Sequence, residues 1–244
     1  MSKNPSIRLD KLLSNLGYGS RREVQAIAAY GEITLDNIPL HDAAAKIILT
    51  EDLPQCLRVR GEALDPLPGM VIMLHKPLGM TCSHKDSGPL VYDVFPERWR
   101  ARTPQLSSIG RLDKETSGLL LFTDDGALLH KIISPKYHVA KHYEAILARP
   151  LSDDAARIFA SGTLMLEGET TPCLPATLDM IAPTRARLTI TEGRYHQVRR
   201  MFAAVGNHVE ALHRYQLGAL ALPEDLAAGR YVLLNELQIS SIFE

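Results

Sequence analysis

The segment GRLDKETSG, residues 110–118, is the most unusual stretch of this sequence. Two glycines bound a loop that contains acidic, basic and hydroxyl side chains, and the apolar run LLLF follows at 119–122. Such a loop can hold a carboxylate beside a cation, and catalytic side chains are often carried by loops on a rigid scaffold. On periodicity alone, an exposed turn of solvated charges is the commoner interpretation.

Apolar periodicity around this loop predicts both strands and helices. Strands are predicted at 70–74, 119–122, 141–147 and 187–191, and helices at 127–133, 153–160 and 198–205. These elements do not alternate regularly as strand–helix–strand units. Their order favours an α+β fold built on a mixed, largely antiparallel sheet.

The N-terminal part of the chain predicts a separate small unit. Leucines at 9, 12, 13 and 16 have the spacing of a short helix, and the capping box SRRE at 20–23 begins a second helix that ends near Gly31. A β-hairpin is predicted at 32–40. Residues 53–69 contain three prolines and two glycines, which predicts a connector. We therefore expect domains at 1–60 and 61–244.

The overall charge gives no sign of a nucleic-acid partner. Among 244 residues, 27 Lys and Arg face 28 Asp and Glu, so the net charge is −1. Any basic binding surface must therefore come from local clustering. The small N-terminal unit is predicted to have such a basic surface, because four basic residues lie off the apolar stripes of its two helices. These residues are Arg8, Lys11, Arg21 and Arg22.

Composition and missing motifs exclude several classes of protein. With 45% apolar and 23% charged residues, the chain has ordinary globular composition. No apolar stretch reaches the roughly 18 residues that span a bilayer, and the N-terminus lacks an apolar signal core, so we expect no membrane partner and a cytoplasmic protein. The three cysteines are scattered, and no P-loop or H-E-x-x-H motif occurs, so neither a metal nor a nucleotide cofactor is expected.

Two further segments stand out beside strongly periodic elements. EGRYHQVRRM at 192–201 places Arg199 and Arg200 at the edge of a helix whose apolar stripe is buried. A guanidinium held on a rigid helix is a good partner for a carboxylate or phosphate, although a solvated basic helix start is the simpler interpretation. HKPLG at 75–79 follows a predicted strand and is also compatible with a plain turn.

In this order, the motifs resemble the RsuA-like family of pseudouridine synthases, which modify ribosomal RNA. Residues 8–50 look like a small RNA-binding domain of the S-four ribosomal-protein type. Four catalytic-domain motifs match: KPLG at 76–79, GRLDKETSGL at 110–119, KHY at 141–143 and EGRYHQVRRM at 192–201. The segment from 201 to 214 looks closest to the branch that acts on the small-subunit 16S rRNA.

The resemblance implies roles for particular residues. Asp113 is the expected catalytic carboxylate, Arg199 its cationic partner, and Tyr143 the ring that packs against uracil and could assist proton transfer. Arg111 is expected to fill the space that the flipped uridine leaves, and Lys76 and Arg200 to contact phosphate. The basic surface at Arg8, Lys11, Arg21 and Arg22 is expected to bind RNA.

The resemblance also implies an isomerase without a cofactor, because the reaction neither oxidises anything nor transfers an external group. The expected partner is rRNA, either free 16S rRNA or the assembling small subunit, and a monomer is expected. Two alternatives stay open. One is a non-catalytic ribosome-assembly factor with the same fold; the other is a hydrolase of nucleosides or glycosides, which needs a second carboxylate such as Glu115 or Asp124.

Overall fold

The computed structural model describes residues 5–244 and shows two compact units. The first comprises the chain up to Met70 with Phe95–Ser107 and Thr123–Gly126; the second comprises Val71–Val94, Ser108–Phe122 and Ala127–Glu244. Residues 1–4 of the expected first domain lie outside the described residues. None of the helices in residues 5–244 has the length and apolarity needed to span a bilayer.

The first unit contains two helices, a small sheet and short flanking elements. Its elements are β1 Ser6–Arg8, α1 Leu9–Asn15, α2 Arg21–Ala29, β2 Ile33–Leu35, β3 Ile38–Pro39, β4 Lys46–Ile48, α3 Leu53–Cys56, β5 Leu57–Val59, β6 Glu62–Ala63 and α4 Glu97–Arg100. The predicted capping box is confirmed, because the Ser20 hydroxyl accepts from the Glu23 amide and the Glu23 carboxylate accepts from the Ser20 amide. The predicted hairpin is confirmed as β2 and β3, joined by Asp36 and Asn37 at positive φ.

The prediction of a connector at 53–69 is wrong for residues 53–63. Strand β5 pairs with both β2 and β6, so this segment forms half of a four-stranded sheet of order β3-β2-β5-β6. Pro54 is compatible with this structure because it lies in the first turn of α3, where no amide donor is needed. Leu57 and Val59 alternate with an exposed residue and fill the core. The expected domain boundary after residue 60 falls between β5 and β6.

One buried carboxylate organises the basic surface of the first unit. Asp10 has no exposed surface and accepts hydrogen bonds from Arg8, Arg21 and Gln25. These bonds, that of Arg8 foremost, hold the pKa of the Asp10 carboxyl far below its usual range. The Arg8 and Arg21 side chains stay about half exposed, with 43% and 51% of their surface accessible.

The second unit is built on one large sheet with helices against it. Its elements are β7 Val71–Lys76, β8 Ser107–Ile109, β9 Thr116–Thr123, α5 Gly126–Ile133, β10 Lys141–Leu147, α6 Ala155–Ala160, β11 Thr177–Ala182, β12 Arg185–Ile190, α7 Gln197–Ala204, β13 Val209–Leu217, β14 Leu220–Ala221, β15 Tyr231–Leu233 and α8 Glu236–Ser240. In the described chain, the sheet runs β11-β12-β10-β13-β9-β7-β15, with β14 beside β13 and β8 beside β9.

Strand directions confirm the predicted fold class. Strand β13 is parallel to β9 and antiparallel to β10, which in turn is antiparallel to β12. The pairs β11–β12, β13–β14 and β7–β15 are also antiparallel. The central strands β7 and β9 are apolar and almost wholly buried, as expected for strands covered on both faces. The protein is therefore α+β with a mixed, largely antiparallel sheet.

Gly118 allows the parallel contact between β9 and β13. It pairs with Arg214 at φ 110°, and a Cβ added there would lie 2.2 Å from the Arg214 carbonyl oxygen. No side chain can occupy that space without moving a backbone. Glycine at position 118 therefore permits the close approach of the two strands.

We predict that Gly118→Ala lowers the free energy of unfolding by about 3 kcal/mol, because overlap and an unfavourable φ add together. Chemical denaturation measures the change. Gly126→Ala is the matched control, since nothing lies within 4 Å of its added Cβ, and it should alter stability by less than about 1 kcal/mol. Equal stabilities of Gly118→Ala and native protein would contradict the close approach.

Candidate active site

A cleft of about 730 Å³ opens in the second unit, and the GRLDKETSG loop forms one of its walls. The other walls are β10, β13 and the turn before α7. The lining includes residues 110–114 and 192–198 together with Thr116, Lys141, Tyr143, Leu212 and Arg214. The structure thus brings three of the four catalytic-domain motifs to one concave surface.

A buried cation, the Lys76 ammonium, binds the backbone of the loop that carries Asp113. Lys76, at the end of β7, has no exposed surface, and its Nζ donates to the carbonyl oxygens of Pro77, Lys114 and Thr116 at 3.0, 3.3 and 2.9 Å. Burial lowers the pKa of this ammonium. The Gly79 amide adds a bond to the Lys114 carbonyl at 2.9 Å.

The expectation that Lys76 contacts phosphate is therefore not carried forward. A side chain without accessible surface, whose ammonium is already bonded to three carbonyls, does not meet RNA. Sequence reasoning could not see this, because a lysine after an apolar strand is normally exposed. The KPLG motif instead supplies the cation that shapes the neighbouring loop.

Arg199 binds the same loop from the other side. Its Nη2 donates to the Glu115 carbonyl at 2.6 Å and its Nη1 to the Val209 carbonyl at 2.9 Å. With both ends of the guanidinium occupied, Nε lies 4.0 Å from the Asp113 carboxylate. The expected pairing of Arg199 with Asp113 is thus a close charge contact at the outer limit of an ion pair.

Asp113 also meets His196, a residue that the sequence analysis did not single out. The imidazole Nε2 lies 3.4 Å from a carboxylate oxygen, and 31% of the Asp113 side chain remains exposed to the cleft. His196 precedes α7 at φ 48°, and its ring stacks on Tyr195 with centroids 3.9 Å apart. In the sequence, His196 is marked only by its position three residues before Arg199. That position does not predict the left-handed backbone that turns His196 towards Asp113.

Tyr143 lies on β10 and forms an inner wall of the cleft. Its side chain is buried, and the guanidinium carbon of Arg214 lies 6.0 Å from the ring centroid. Nearby Lys141 donates from Nζ to the Val139 carbonyl at 2.7 Å. Burial, with a smaller contribution from the Arg214 charge, lowers the pKa of Lys141 to about 8.

The two remaining predicted arginines differ in their placement. Arg111 is exposed and lines the cleft, next to the Asp113 loop. Arg200 faces the segment before β11 and donates to the Glu169 carboxylate at 2.9 Å, to the Tyr195 carbonyl at 3.0 Å and to the Glu167 carbonyl. Both terminal nitrogens of Arg200 have protein partners while 24% of its side chain is exposed, and its expected contact with phosphate stays a prediction.

The two other carboxylates considered for catalysis, Asp124 and Glu115, have different surroundings. Asp124 is buried in the first unit, where it binds the Arg102 guanidinium at 2.8 Å and the Gly69 amide at 2.7 Å. Glu115 is exposed, and its backbone carbonyl is the acceptor for Arg199. In residues 5–244, no group of three or more His, Cys, Asp or Glu side chains is placed to hold a metal ion.

Comparison with known proteins assigns the class and then the family. Residues 70–204, more than half of the chain, match a family model described as RNA pseudouridylate synthase. The class is that of isomerases that rearrange a uridine within RNA. The chain belongs to the RNA pseudouridylate synthase family, in its RsuA-like branch.

Full-length relatives support the same assignment. The chain is 42% identical over 238 residues to a protein of Yersinia pestis called ribosomal small subunit pseudouridine synthase A, covering 97% of this chain and 98% of that one. A protein of the same name from Escherichia coli strain K12 is 40% identical over 239 residues, or 97% and 100% of the two chains. A crystal structure of a pseudouridylate synthase matches with a TM-score of 0.67 at 36% identity, covering 97% and 99%.

We predict that Lys76→Met lowers the free energy of unfolding by about 3 kcal/mol, because three carbonyl oxygens lose a charged donor. The loop should also shift, so catalytic activity should fall together with stability. Thermal denaturation and an activity assay measure both effects.

Lys114→Met serves as the control for stability. This exposed neighbour contributes only its backbone carbonyl to the Lys76 site, so its replacement should change stability by less than about 0.5 kcal/mol. A Lys76→Met protein as stable as native would show that the buried ammonium does not hold the loop.

Proposed function

We propose that this protein isomerises one uridine of 16S rRNA to pseudouridine, with Asp113 as the catalytic carboxylate. The observation that carries the proposal is the position of Asp113 in the cleft, within 4.0 Å of the Arg199 guanidinium. The relatives named for the small ribosomal subunit support 16S rRNA as the substrate. The proposal describes a monomer that acts in the cytoplasm during ribosome biogenesis.

The chemistry needs only one carboxylate. The bond between ribose C1′ and uracil N1 breaks, the uracil rotates, and its C5 bonds to the same C1′ before the C5 proton is lost. Positive charge develops on the sugar in the cleavage step, as it does in glycoside hydrolysis. Asp113 can attack the sugar, attack the base or remove the 2′ proton, and each of these steps uses a negative carboxylate. Arg199 and His196 flank this carboxylate at 4.0 and 3.4 Å.

The remaining cleft residues suit a flipped nucleotide. A uridine within folded RNA must leave its stack before it can react, at a cost of a few kcal/mol. Tyr143 offers an aromatic ring against which the uracil packs, and it could assist the proton transfer at C5. Arg111 is exposed at the cleft, where its planar guanidinium can stack in the vacated position of the RNA.

The ion pair between Asp124 and Arg102 weighs against one route to hydrolysis. A hydrolase would need a second carboxylate to activate water. The candidates were Asp124, which is bound to Arg102, and Glu115, whose side chain is exposed. A non-catalytic assembly factor is also less favoured, because pure RNA binding does not require an aspartate, a tyrosine and an arginine around one cleft.

We further propose that the basic surface of the first unit binds RNA phosphates. Lys11 and Arg22 are exposed, and Arg8 and Arg21 share the buried Asp10 carboxylate. The shared carboxylate holds two guanidinium groups in fixed positions while leaving about half of each exposed. Fixed, exposed cations of this kind supply sequence-independent affinity that weakens as salt rises.

We predict that Asp113→Asn binds rRNA with native affinity but forms no detectable pseudouridine. The amide keeps the size of the side chain and removes the charge that the reaction uses. Gel-shift titration measures affinity, and mass spectrometry or chemical mapping measures the product. Glu115→Gln is the matched control from the same loop and should keep native activity. Full activity in Asp113→Asn would remove the catalytic assignment.

We predict that the double variant Lys11→Glu/Arg22→Glu weakens RNA binding and reduces the slope of log affinity against log salt by about 2, one for each lost phosphate contact. These two positions leave the Asp10 cluster intact, so the variant should fold normally. Arg157→Glu/Arg185→Glu, two exposed arginines of the second unit, provides a control of equal charge. An equal loss of affinity in both double variants would contradict a localised surface.

The proposed function itself is tested by mapping pseudouridine in 16S rRNA from cells with and without this protein. One position should lose its modification when the protein is absent and regain it when native protein is supplied, but not when Asp113→Asn is supplied. An unchanged 16S modification pattern would refute the proposed substrate.

A further inference from the structure

The base of the cleft carries two polar groups that the protein leaves unsatisfied. Thr116 and Arg214 line the cleft, yet only 1% and 3% of their surfaces are exposed. Within residues 5–244, neither Thr116 Oγ1 nor Arg214 Nη2 has a hydrogen-bond partner. Burying a donor or an acceptor without a partner is unfavourable, and such groups in a native fold call for an explanation.

The strand geometry places both groups on one face of the sheet. Strands β9 and β13 are parallel, Thr116 pairs with Leu212, and Gly118 pairs with Arg214. Because residues two apart on a strand share a face, Leu212 and Arg214 point the same way, and both line the cleft with Thr116. Gly118, whose added Cβ would lie 2.2 Å from the Arg214 carbonyl oxygen, lets the two strands approach closely at this point.

Within residues 5–244, Arg214 is held in position by hydrogen bonding through its inner nitrogen. Its Nε donates to the Leu119 carbonyl at 2.8 Å, which fixes the guanidinium plane while leaving Nη2 without a protein acceptor. The same guanidinium lies 6.0 Å from the Tyr143 ring centroid, so it lies beside the wall against which the base is proposed to pack. The Arg214 guanidinium is thus fixed, charged and adjacent to the proposed position of the uracil.

We propose that Arg214 and Thr116 bind the imide edge of the target uracil, with Arg214 Nη2 donating to a ring carbonyl and Thr116 Oγ1 accepting from N3–H. This inference rests on the proposed function and names the residues that select uracil. Uracil presents two carbonyl acceptors on either side of one N–H donor, which complements a donor beside an acceptor. Where Arg214 donates to O4 of uracil, cytosine presents its N4 amino group instead and loses that bond, because neither the guanidinium nor the amino group can accept.

The Arg214 charge also suits the cleavage step. When the C1′–N1 bond breaks, its electron pair stays on the uracil, and the negative charge spreads over the ring nitrogen and both carbonyl oxygens. A fixed cation that donates to one of those oxygens stabilises the separated base more than the bound uridine. Lys141, which stays largely protonated at neutral pH with its pKa of about 8, adds positive charge to the same wall.

Thr116→Val is the sharper of two tests, because it removes the hydroxyl while keeping the shape of the side chain. The hydroxyl has no protein partner, so the variant should keep native thermal stability. We expect the single-turnover rate of pseudouridine formation on 16S rRNA to fall about 10-fold, with RNA affinity within about 2-fold of native. Thr177→Val, an exposed threonine on β11, is the control and should keep the native rate.

Arg214→Gln and Arg214→Lys test the charged partner. Loss of a preorganised donor and its charge should lower the single-turnover rate about 100-fold in Arg214→Gln, and the charge retained in Arg214→Lys should restore part of it. The control Arg185→Gln removes an exposed arginine from the same sheet and should leave the rate unchanged. If Arg214→Gln does not fold, the Arg214→Lys and Thr116→Val rates decide the question.

Native rates in Thr116→Val would overturn the role of the hydroxyl, and native rates in both folded Arg214 variants would overturn that of the guanidinium. An equal loss of rate, stability and RNA affinity would show a structural role and also overturn the inference. Failure of the proposed function has a different signature, since the native protein would then form no pseudouridine in the same assay.

Discussion

Two cations bind the backbone of the loop that carries Asp113, and the rest of the site depends on them. The Lys76 ammonium binds the carbonyls of Lys114 and Thr116, and the Arg199 guanidinium binds the carbonyl of Glu115 between them. Three successive carbonyls are thereby held by positive charge, and the carboxylate just before them faces the cleft. A loop that is fixed in this way loses little conformational freedom when RNA binds, which is how preorganisation lowers a reaction barrier.

The same unit separates the two charges that the proposed reaction creates. Asp113 lies on one side of the cleft with His196 and Arg199, where positive charge on the ribose would be stabilised. Arg214 lies beside Tyr143, where negative charge on the departing uracil would be stabilised. Because the base itself attacks the sugar again, a second carboxylate for water is unnecessary. The proposed isomerisation thus uses one carboxylate and one buried cation on different walls of the cleft.

Sequence patterns predicted those features that local chemistry controls. The strand at 141–147 was confirmed with the same bounds, and the capping box before α2 was confirmed at Ser20, because periodicity and capping depend on neighbours in sequence. The segment at 53–63 was mistaken for a connector, since Pro54 and Gly61 concealed a strand that pairs with a distant one. Strand β13, which supplies Arg214, was not predicted. Its sequence VEALHRYQL does not alternate regularly between apolar and polar residues, and its burial does not alternate either. The burial of Lys76 could not be predicted either, because it depends on contacts with residues 114 and 116, which are distant in sequence.

The central claim is that the Asp113 carboxylate meets the ribose of a uridine flipped into this cleft. A crystal structure of the Asp113→Asn variant with unreacted small-subunit RNA measures this directly. The account predicts that the target ribose C1′ lies within roughly 4 Å of the residue 113 side chain, as a near-attack geometry requires, with the uracil against Tyr143. A target uridine still stacked in the RNA, or bound with its ribose outside the cleft, would contradict it.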